Sequence, residues 1–439
     1  MEKKVVKIFL HCIFSLILLF YLYNVKYSFL PIDSAKVVWL VFVLLFVFEF
    51  CRSRKFRYIF TGCVREIYPV VLLLVFGVTL LALTLLNAGS NLTIPYYSVI
   101  YVIDVLPVVT LLVYFFCFKL GCDAIKAVVL AGMIQGFLIF IMLVSEPLKD
   151  LYQTFVITGD NILSYYDYRR VGITGFANYT VGIVQAAIAC LQATVLMVKL
   201  RTNREKVRAV DLIVFLILII SALLSSRSSL IIFGLFVLVM VVRKAREKSY
   251  WLNIFPLLST ILTIGATSIL LLITNEELIG SNVVLRWSLE PFINLFNTGL
   301  FTTGSSDTIM SFYFDPGLST LIFGDWQYVN DDGTYYRHVD AGYMRMMLFM
   351  GLPLSLVYYS LILWILTRLY KLTKKYEMDV FLITIVISLF ILHYKGNIFI
   401  DGIAVMKIVF LVVLQFFIYK RLLKYNYCRN IWSRDLATH

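Results

Sequence analysis

Several motifs in this chain bring arginine together with histidine, serine or carboxylate. Arg169 and Arg170 open RRVGITGFAN, Arg227 sits in SSRSS, Arg286 in VVLRW, and Arg337 and Arg345 bracket RHVDAGYMR. A guanidinium is planar, keeps its charge and pairs bidentately with phosphate oxygens. Arginines drawn from several loops into one cavity would suit a lipid-linked phosphate or pyrophosphate. The plainer reading is that arginines at a membrane edge pair with lipid headgroups or loop carboxylates. Arg227 is the most specific case. It lies among Ser225, Ser226, Ser228 and Ser229 between two apolar runs, where solvation alone is poor.

His338, Asp340 and Tyr343 fall inside the last motif. An imidazole or carboxylate there can accept a proton from a sugar hydroxyl near neutral pH. Against this stands His338 as an ordinary solvated loop residue. Asp331 and Asp332 in NDDGT read as a β-turn more naturally than as a cation site, because oxygen-ligand sites need more ligands. No metal or other cofactor is expected. The chain has no zinc-like cysteine spacing, no P-loop and no GxGxxG, which disfavours an ATP-driven pump and a cytoplasmic nucleotide-sugar enzyme.

The scaffold that must position these groups follows from composition. Of 439 residues, 61% are hydrophobic and 15% charged, and the mean hydropathy is +0.88. A typical soluble domain is about 25% charged, so most of this chain faces lipid. A span needs about 20 apolar residues, within a range of roughly 17–25. Twelve segments read as spans, with boundaries soft by several residues: Ile8–Tyr23, Val37–Phe50, Tyr68–Leu86, Ser98–Phe118, Ala124–Val144, Thr180–Val198, Leu212–Leu224, Leu230–Val242, Leu252–Thr274, Gly351–Leu369, Val380–Tyr394 and Ile400–Tyr419; the seventh and eighth are short, and a re-entrant pair there would return the chain to the same side. The expected fold is all-α: one polytopic membrane domain over residues 1–439. The basic start followed by Ile8–Tyr23 lacks a small-residue cleavage site, so it reads as a retained helix.

Charge sets the orientation. The net charge is +13, which in a soluble protein would suggest nucleic acid. Here most Lys and Arg fall in alternate connecting segments, such as Arg52–Arg65, Lys199–Arg208, Arg243–Lys248 and Lys420–Arg434. The positive-inside rule makes these cytoplasmic, with both termini on that side. Fusing the two short spans around SSRSS would put Arg243–Lys248 outside, which argues against it. Two larger loops then face outward, 145–179 and 275–350. Val284, Leu285, Leu289, Phe292 and Phe296 recur at helical spacing in the second, which predicts an amphipathic helix on the outer face. No cysteine falls in an outer loop, so no extracytoplasmic disulfide is expected. Asp104 and Lys407 lie inside spans. Asp104 is costly there unless paired, and an arginine partner is expected; Lys407 is left open between snorkelling and pairing.

At this point the chain resembles the Wzy-type O-antigen polymerases, within the O-antigen polymerase and ligase superfamily. Three pieces carry the resemblance: RRVGITGFANYTVG leading into a span, the SSRSS break, and HVDAGYMRMMLFMGLPLS closing the large loop. Arg170, Gly172, Gly175 and Asn178 match the first motif, with Ala177 where a proline is usual. Asp340, Gly342, Tyr343 and Gly351 match the last.

The resemblance implies a metal-independent, inverting glycosyltransferase on the outer face of the bacterial cytoplasmic (inner) membrane. It would lengthen an undecaprenyl-pyrophosphate-linked glycan by transfer to a second lipid-linked repeat unit. Arg169, Arg170, Arg227, Arg286, Arg337, Arg345 and Tyr343 would bind substrate, and His338 or Asp340 would serve the acceptor hydroxyl. Expected partners are undecaprenyl-pyrophosphate-linked glycans, membrane lipids and a chain-length regulator protein, with no nucleic acid. A ligase transferring glycan to lipid A-core shares the layout. A lipid-linked oligosaccharide flippase, from another class, would carry related halves and small outer loops instead; no internal repeat is visible here.

Overall fold

The computed structural model describes residues 2–87, 91–156, 172–174, 179–202, 207–244, 274–275, 283–300, 302–330 and 332–435. Among them every element beyond two isolated bridges is helical. In chain order these are α1 (Glu2–Tyr23), α2 (Ser34–Arg52), α3 (Arg54–Glu66), α4 (Pro69–Leu86), α5 (Thr93–Lys119) and α6 (Ala124–Val144). Then come α7 (Glu146–Gln153), α8 (Tyr179–Thr202), α9 (Ala209–Ser225), α10 (Ser228–Lys244), α11 (Val283–Thr298) and α12 (Gly304–Ser311). The last five are α13 (Leu318–Phe323), α14 (Gly342–Thr373), α15 (Asp379–His393), α16 (Ile398–Asp401) and α17 (Ile403–Asp435).

Among the described residues, eight helices are long and apolar enough to cross a membrane: α1, α2, α4, α5, α6, α8, α14 and α17. The shorter apolar helices α9, α10 and α15 stand beside them. The chain is a helical, multi-pass membrane protein. The predicted segment Leu252–Thr274 lies outside the described residues except for Thr274.

Helix α8 occupies the middle of the bundle. Ala186, Ala187 and Ala189 have no exposed surface. Small residues let its neighbours close in, since apolar packing in lipid depends on backbone approach. A Cβ on Gly132 or Gly136 of α6 would come within 2.9 Å of Ile188 or Ile217. At Gly182 a Cβ would run into the Ser226 side chain and lie 2.8 Å from the Ser226 nitrogen. The Ser226–Arg227 break between α9 and α10 is therefore seated directly on α8.

Helix ends collect into two groups. At the basic end, ion pairs join Lys119 to Glu49 (2.8 Å), Lys199 to Asp211 (3.2 Å), Arg201 to Glu377 (3.1 Å) and Arg243 to Asp379 (3.2 Å). The opposite, loop end holds Arg227, Arg337 and Arg345, each with its own carboxylate partner.

Inside the bundle, α5 is not a regular α-helix. Pro107 has no N–H to donate, and the turns Asp104–Val108 and Val113–Lys119 widen to π geometry. The distortion accompanies a buried ion pair: Asp104 meets Lys407 of α17 at 2.9 Å. The expected arginine partner of Asp104 is thus a lysine.

Helix α14 breaks at Gly351, whose φ of 73° and ψ of 165° only glycine tolerates. The break leaves carbonyls without helical donors, and Pro353 removes one more N–H. The chain after α13 fills the gap: Asp325 N–H donates to the Leu348 carbonyl (2.7 Å) and Trp326 N–H to the Phe349 carbonyl (2.9 Å). The short arm Gly342–Met350 is consequently packed, with Met344, Arg345, Met346, Phe349 and Met350 buried.

Candidate functional site

The arm that precedes Gly351 carries Arg345 into the loop end of the bundle. Its side chain is 3% exposed. The guanidinium lies between two aromatic rings, 4.1 Å from the Tyr328 centroid and 3.6 Å from that of Tyr335. A pairing across NDDGT brings these tyrosines to it. Val329 bridges to Tyr335, and Asn330 N–H donates to the Thr334 carbonyl at 2.8 Å. Asp332 is spent on this turn: its Oδ1 accepts from the Thr334 N–H (2.8 Å) and hydroxyl (2.6 Å). Those hydrogen bonds hold its carboxyl below the usual range.

Asp340 sits at the mouth of this pocket, 3.8 Å from the Arg345 Nη1. Burial pushes its carboxyl up; Arg345 and Lys395 pull the other way without cancelling the rise. Lys395 is presented by the turn that ends α15. That turn is wedged in place: a Cβ on Gly342 would lie 2.6 Å from both the His393 and Gly396 carbonyls. The Lys395 Nζ lies 3.4 Å from the Ser228 hydroxyl, next in sequence to Arg227.

Arg227 forms a second cluster with residues of α11. Its guanidinium donates to the Glu290 Oε2 and stands 4.6 Å over the Trp287 ring. Both partners come from α11, whose other Glu290 oxygen accepts the Gly304 N–H at 3.0 Å. At this end of the bundle Lys395 thus meets Ser228, the neighbour of Arg227, and Asp340 meets Arg345.

Other predicted residues are placed differently. Arg337 has a positive φ of 52° and donates to Asp325 at 2.9 Å, which also accepts from the Tyr336 and Thr320 hydroxyls. It is held as an anchor for its loop. His338 also has a positive φ, 56°, and its side chain is exposed. Tyr343 donates its hydroxyl to the Phe390 carbonyl (2.7 Å) and packs edge-on to His393, so it ties α14 to α15. Arg286 is exposed on α11. Arg169, Arg170, Gly175, Asn178 and Asp331 lie outside the described residues. Gly172 is described; a Cβ there would lie 2.7 Å from the Gln135 amide, whose oxygen accepts the Ile173 N–H at 3.0 Å.

Sequence reading counts Lys395 among the outer cations without giving it a role, and it missed Glu290, His393 and Asn397 as parts of this end. His393 and Asn397 have no exposed surface. The His393 Nε2 is 2.8 Å from the Tyr359 hydroxyl, and Asn397 Nδ2 donates to the Tyr328 hydroxyl at 3.0 Å. The His393 Nδ1 and Asn397 Oδ1 have no hydrogen-bond partner among the described residues. The available signal was four polar or charged residues within HYKGN, at the end of an apolar segment. No family model, curated protein or solved structure matches this chain.

Proposed function

We propose that the protein is a membrane glycosyltransferase that polymerises lipid-linked repeat units, using an undecaprenyl-pyrophosphate glycan as donor. The observation that carries this reading is the pairing of Arg227 with Glu290 and of Arg345 with Asp340 at the loop end of the bundle. Fixed cations at a membrane end are suited to a lipid pyrophosphate leaving group, because preorganised charge is the largest electrostatic contribution to such transfers. By the positive-inside rule the loop end faces outward, where neither ATP nor nucleotide sugar is at hand.

Arg345 is buried and stacked, so its guanidinium keeps one orientation before substrate arrives. Asp340 is the residue placed to accept the acceptor hydroxyl proton, since it lies beside that cation while His338 points to solvent. Direct attack of the hydroxyl on the anomeric carbon then inverts it. Arg227 and Arg345 bind donor phosphate, and Arg337 acts through its loop. Arg286, Arg169 and Arg170 are further substrate-binding cations in this reading. A twelve-span topology with both termini inside, a chain-length regulator partner and placement in a bacterial inner membrane belong to the same reading.

The experiment is reconstitution. Purified full-length protein mixed with synthetic lipid-linked repeat units should yield a ladder of lengthened glycans. A single transfer to lipid A-core would favour the ligase, and movement across vesicles without new bonds would favour a flippase. An Arg227→Ala variant that polymerises fully would remove the role given to that residue.

A further inference from the structure

The connection between α2 and α4 gathers cations at the opposite end of the bundle. Its residues include Arg52, Arg54, Lys55, Arg57 and Arg65. Helix α2 stops at Arg52, beside the Glu49–Lys119 pair of the basic end, and α4 starts at Pro69. Helix α3 fills the interval with 13 residues, too few and too charged to cross a bilayer. Two caps fix its start. The Ser53 hydroxyl accepts the Phe56 N–H at 3.1 Å. Arg57 Nη1 donates to the Phe50 and Cys51 carbonyls that end α2, at 3.1 and 2.8 Å.

One face of α3 is committed to the bundle. Phe56, Ile59 and Cys63 have no exposed surface. Phe56 and Phe60 close on Phe46 of α2, with ring centroids 5.6 and 4.8 Å away. Gly62 admits Arg421 of α17, whose Cζ would lie 2.9 Å from a Cβ there. Arg421 pairs with Glu66 at 3.6 Å and Lys119 with Glu49 at 2.8 Å, so both carboxylates of this corner are occupied. The other face shows Arg54, Thr61 and Arg65 exposed at i, i+7 and i+11, one stripe of a helix. Lys55 flanks it, half-buried, with a stem long enough to carry its ammonium outward. Among the described residues, no carboxylate lies within ion-pair reach of Arg54, Lys55 or Arg65.

Aromatic residues mark the level of this stripe. Tyr68, just past α3, meets Trp364 of α14 edge-on at 5.2 Å, and the two are 37% and 41% exposed. The Arg368 guanidinium lies 5.1 Å from the Tyr68 ring. Half-exposed tyrosine and tryptophan with an arginine beside them belong at the headgroup level of a bilayer. The exposed apolar residues Leu44, Val47 and Phe48 of α2 run up to the same corner, where the Arg52 guanidinium lies 5.8 Å from the Phe48 ring. The cations of α3 therefore stand where lipid tails give way to phosphates.

We propose that the exposed face of α3 binds anionic phospholipid headgroups, with Arg54, Lys55 and Arg65 as the contacting cations. The ligand class is a phosphodiester lipid of net negative charge, such as phosphatidylglycerol. Orientation by the positive-inside rule needs only a count of cations. A helix docked by its apolar face, with its cations in one stripe, adds a binding surface. Helix α3 thereby ties the α2–α4 connection to the leaflet at the basic end, whatever reaction the loop end performs.

The test uses full-length protein in detergent micelles with equimolar phosphatidylglycerol and phosphatidylcholine. Native mass spectrometry reads the lipid retained. Each Lys or Arg near an anionic surface strengthens binding about fivefold. Wild type should retain phosphatidylglycerol over phosphatidylcholine. The variant Arg54→Gln/Lys55→Gln/Arg65→Gln should cut that preference about tenfold or more. Lys371→Gln/Lys374→Gln/Lys420→Gln removes the same charge from other exposed positions and should keep the preference. Should the α3 variant fail to fold, Thr61→benzoylphenylalanine in otherwise wild-type protein decides: illuminated in the membranes of the expressing cells, it should capture phospholipid. No preference in wild type, or an unchanged preference in the α3 variant, overturns the inference. Equal loss in both variants overturns it too, by assigning the effect to charge in general. Capture of a protein instead of lipid at Thr61 overturns it in favour of a protein partner.

Discussion

The carboxylate of Asp104 lies 2.9 Å from the ammonium of Lys407, with side chains only 5% and 6% exposed. Tyr21 completes the group. Its hydroxyl donates to Asp104 Oδ1 at 2.9 Å, its carbonyl accepts from Lys407 at 3.4 Å, and its ring lies 3.9 Å below the ammonium. The pair ties α1, α5 and α17 together. Removing one member leaves the other charge buried, which costs about 3–5 kcal/mol. Lys407→Met is therefore expected to lower the unfolding midpoint sharply in detergent. Asp104→Leu combined with Lys407→Met should regain most of that loss, because an apolar pair of similar volume needs no desolvation. A single variant as stable as wild type would show that the pair contributes nothing.

Much of this architecture was legible in the sequence because hydropathy and spacing report directly on lipid contact. The helices around Ala124–Val144 and Thr180–Val198 are examples: each is a predominantly apolar stretch of spanning length. The helical spacing in the 284–296 segment likewise matches the helix found at Val283–Thr298. The arm Gly342–Met350 was not legible as a packed helix, because it is too short for a span and carries Arg345. Only the hydrogen bonds from Asp325 and Trp326 across the Gly351 break explain its burial. The arginine motifs drew attention to the correct end of the molecule but not to the partners. Glu290 and Asp325 are distant in sequence from Arg227 and near but unremarked beside Arg337, and carboxylate pairing carries no periodic signal. His393 was hidden at the end of a span, where a polar residue reads as an edge, and Lys395 was counted there only as one more outer cation.

Gly351→Ala tests the break in α14. At φ 73° any side chain is strained, at about 1–3 kcal/mol, and the new Cβ would also strike the Ile322 carbonyl. Gly333→Ala is the control, since its φ of 80° carries similar strain but a Cβ there meets nothing within 4 Å. The Gly351 variant should lose clearly more thermal stability than the Gly333 variant. It should also lose polymerising activity, because the displaced arm carries Arg345. Equal losses in the two variants would mean that the close packing on α13 is not needed.

Arg345 and His338 separate two roles for the RHVDAGYMR motif. Arg345→Lys keeps the charge but cannot lie flat between Tyr328 and Tyr335 as a guanidinium does. Turnover of lipid-linked repeat units should fall about tenfold or more, consistent with losing one well-placed oriented donor. His338→Ala should stay within about threefold of wild type, far short of the roughly hundredfold that removal of a general base costs. A hundredfold loss in His338→Ala would move the base from Asp340 to His338.

Asp340 gives the pH dependence. Its carboxyl is pushed above the ordinary range, chiefly by burial and against the pull of Arg345 and Lys395. A group whose native value is raised favours the fold most below its unfolded value, near 3.9. That contribution is lost as pH rises through the raised native value. Wild type should therefore lose stability relative to Asp340→Asn over this acidic window as pH increases, and the difference should level off at neutral pH. Activity runs in the opposite sense. A base must be deprotonated, so the polymerisation rate should climb through the same window and reach a plateau. Asp340→Asn should lose the rate and the limb together, whereas Asp332→Asn, which touches only its own turn, should keep both. A wild-type rate that is flat across the window, with Asp340→Asn fully active, would leave Asp340 as nothing more than the counter-ion of Arg345.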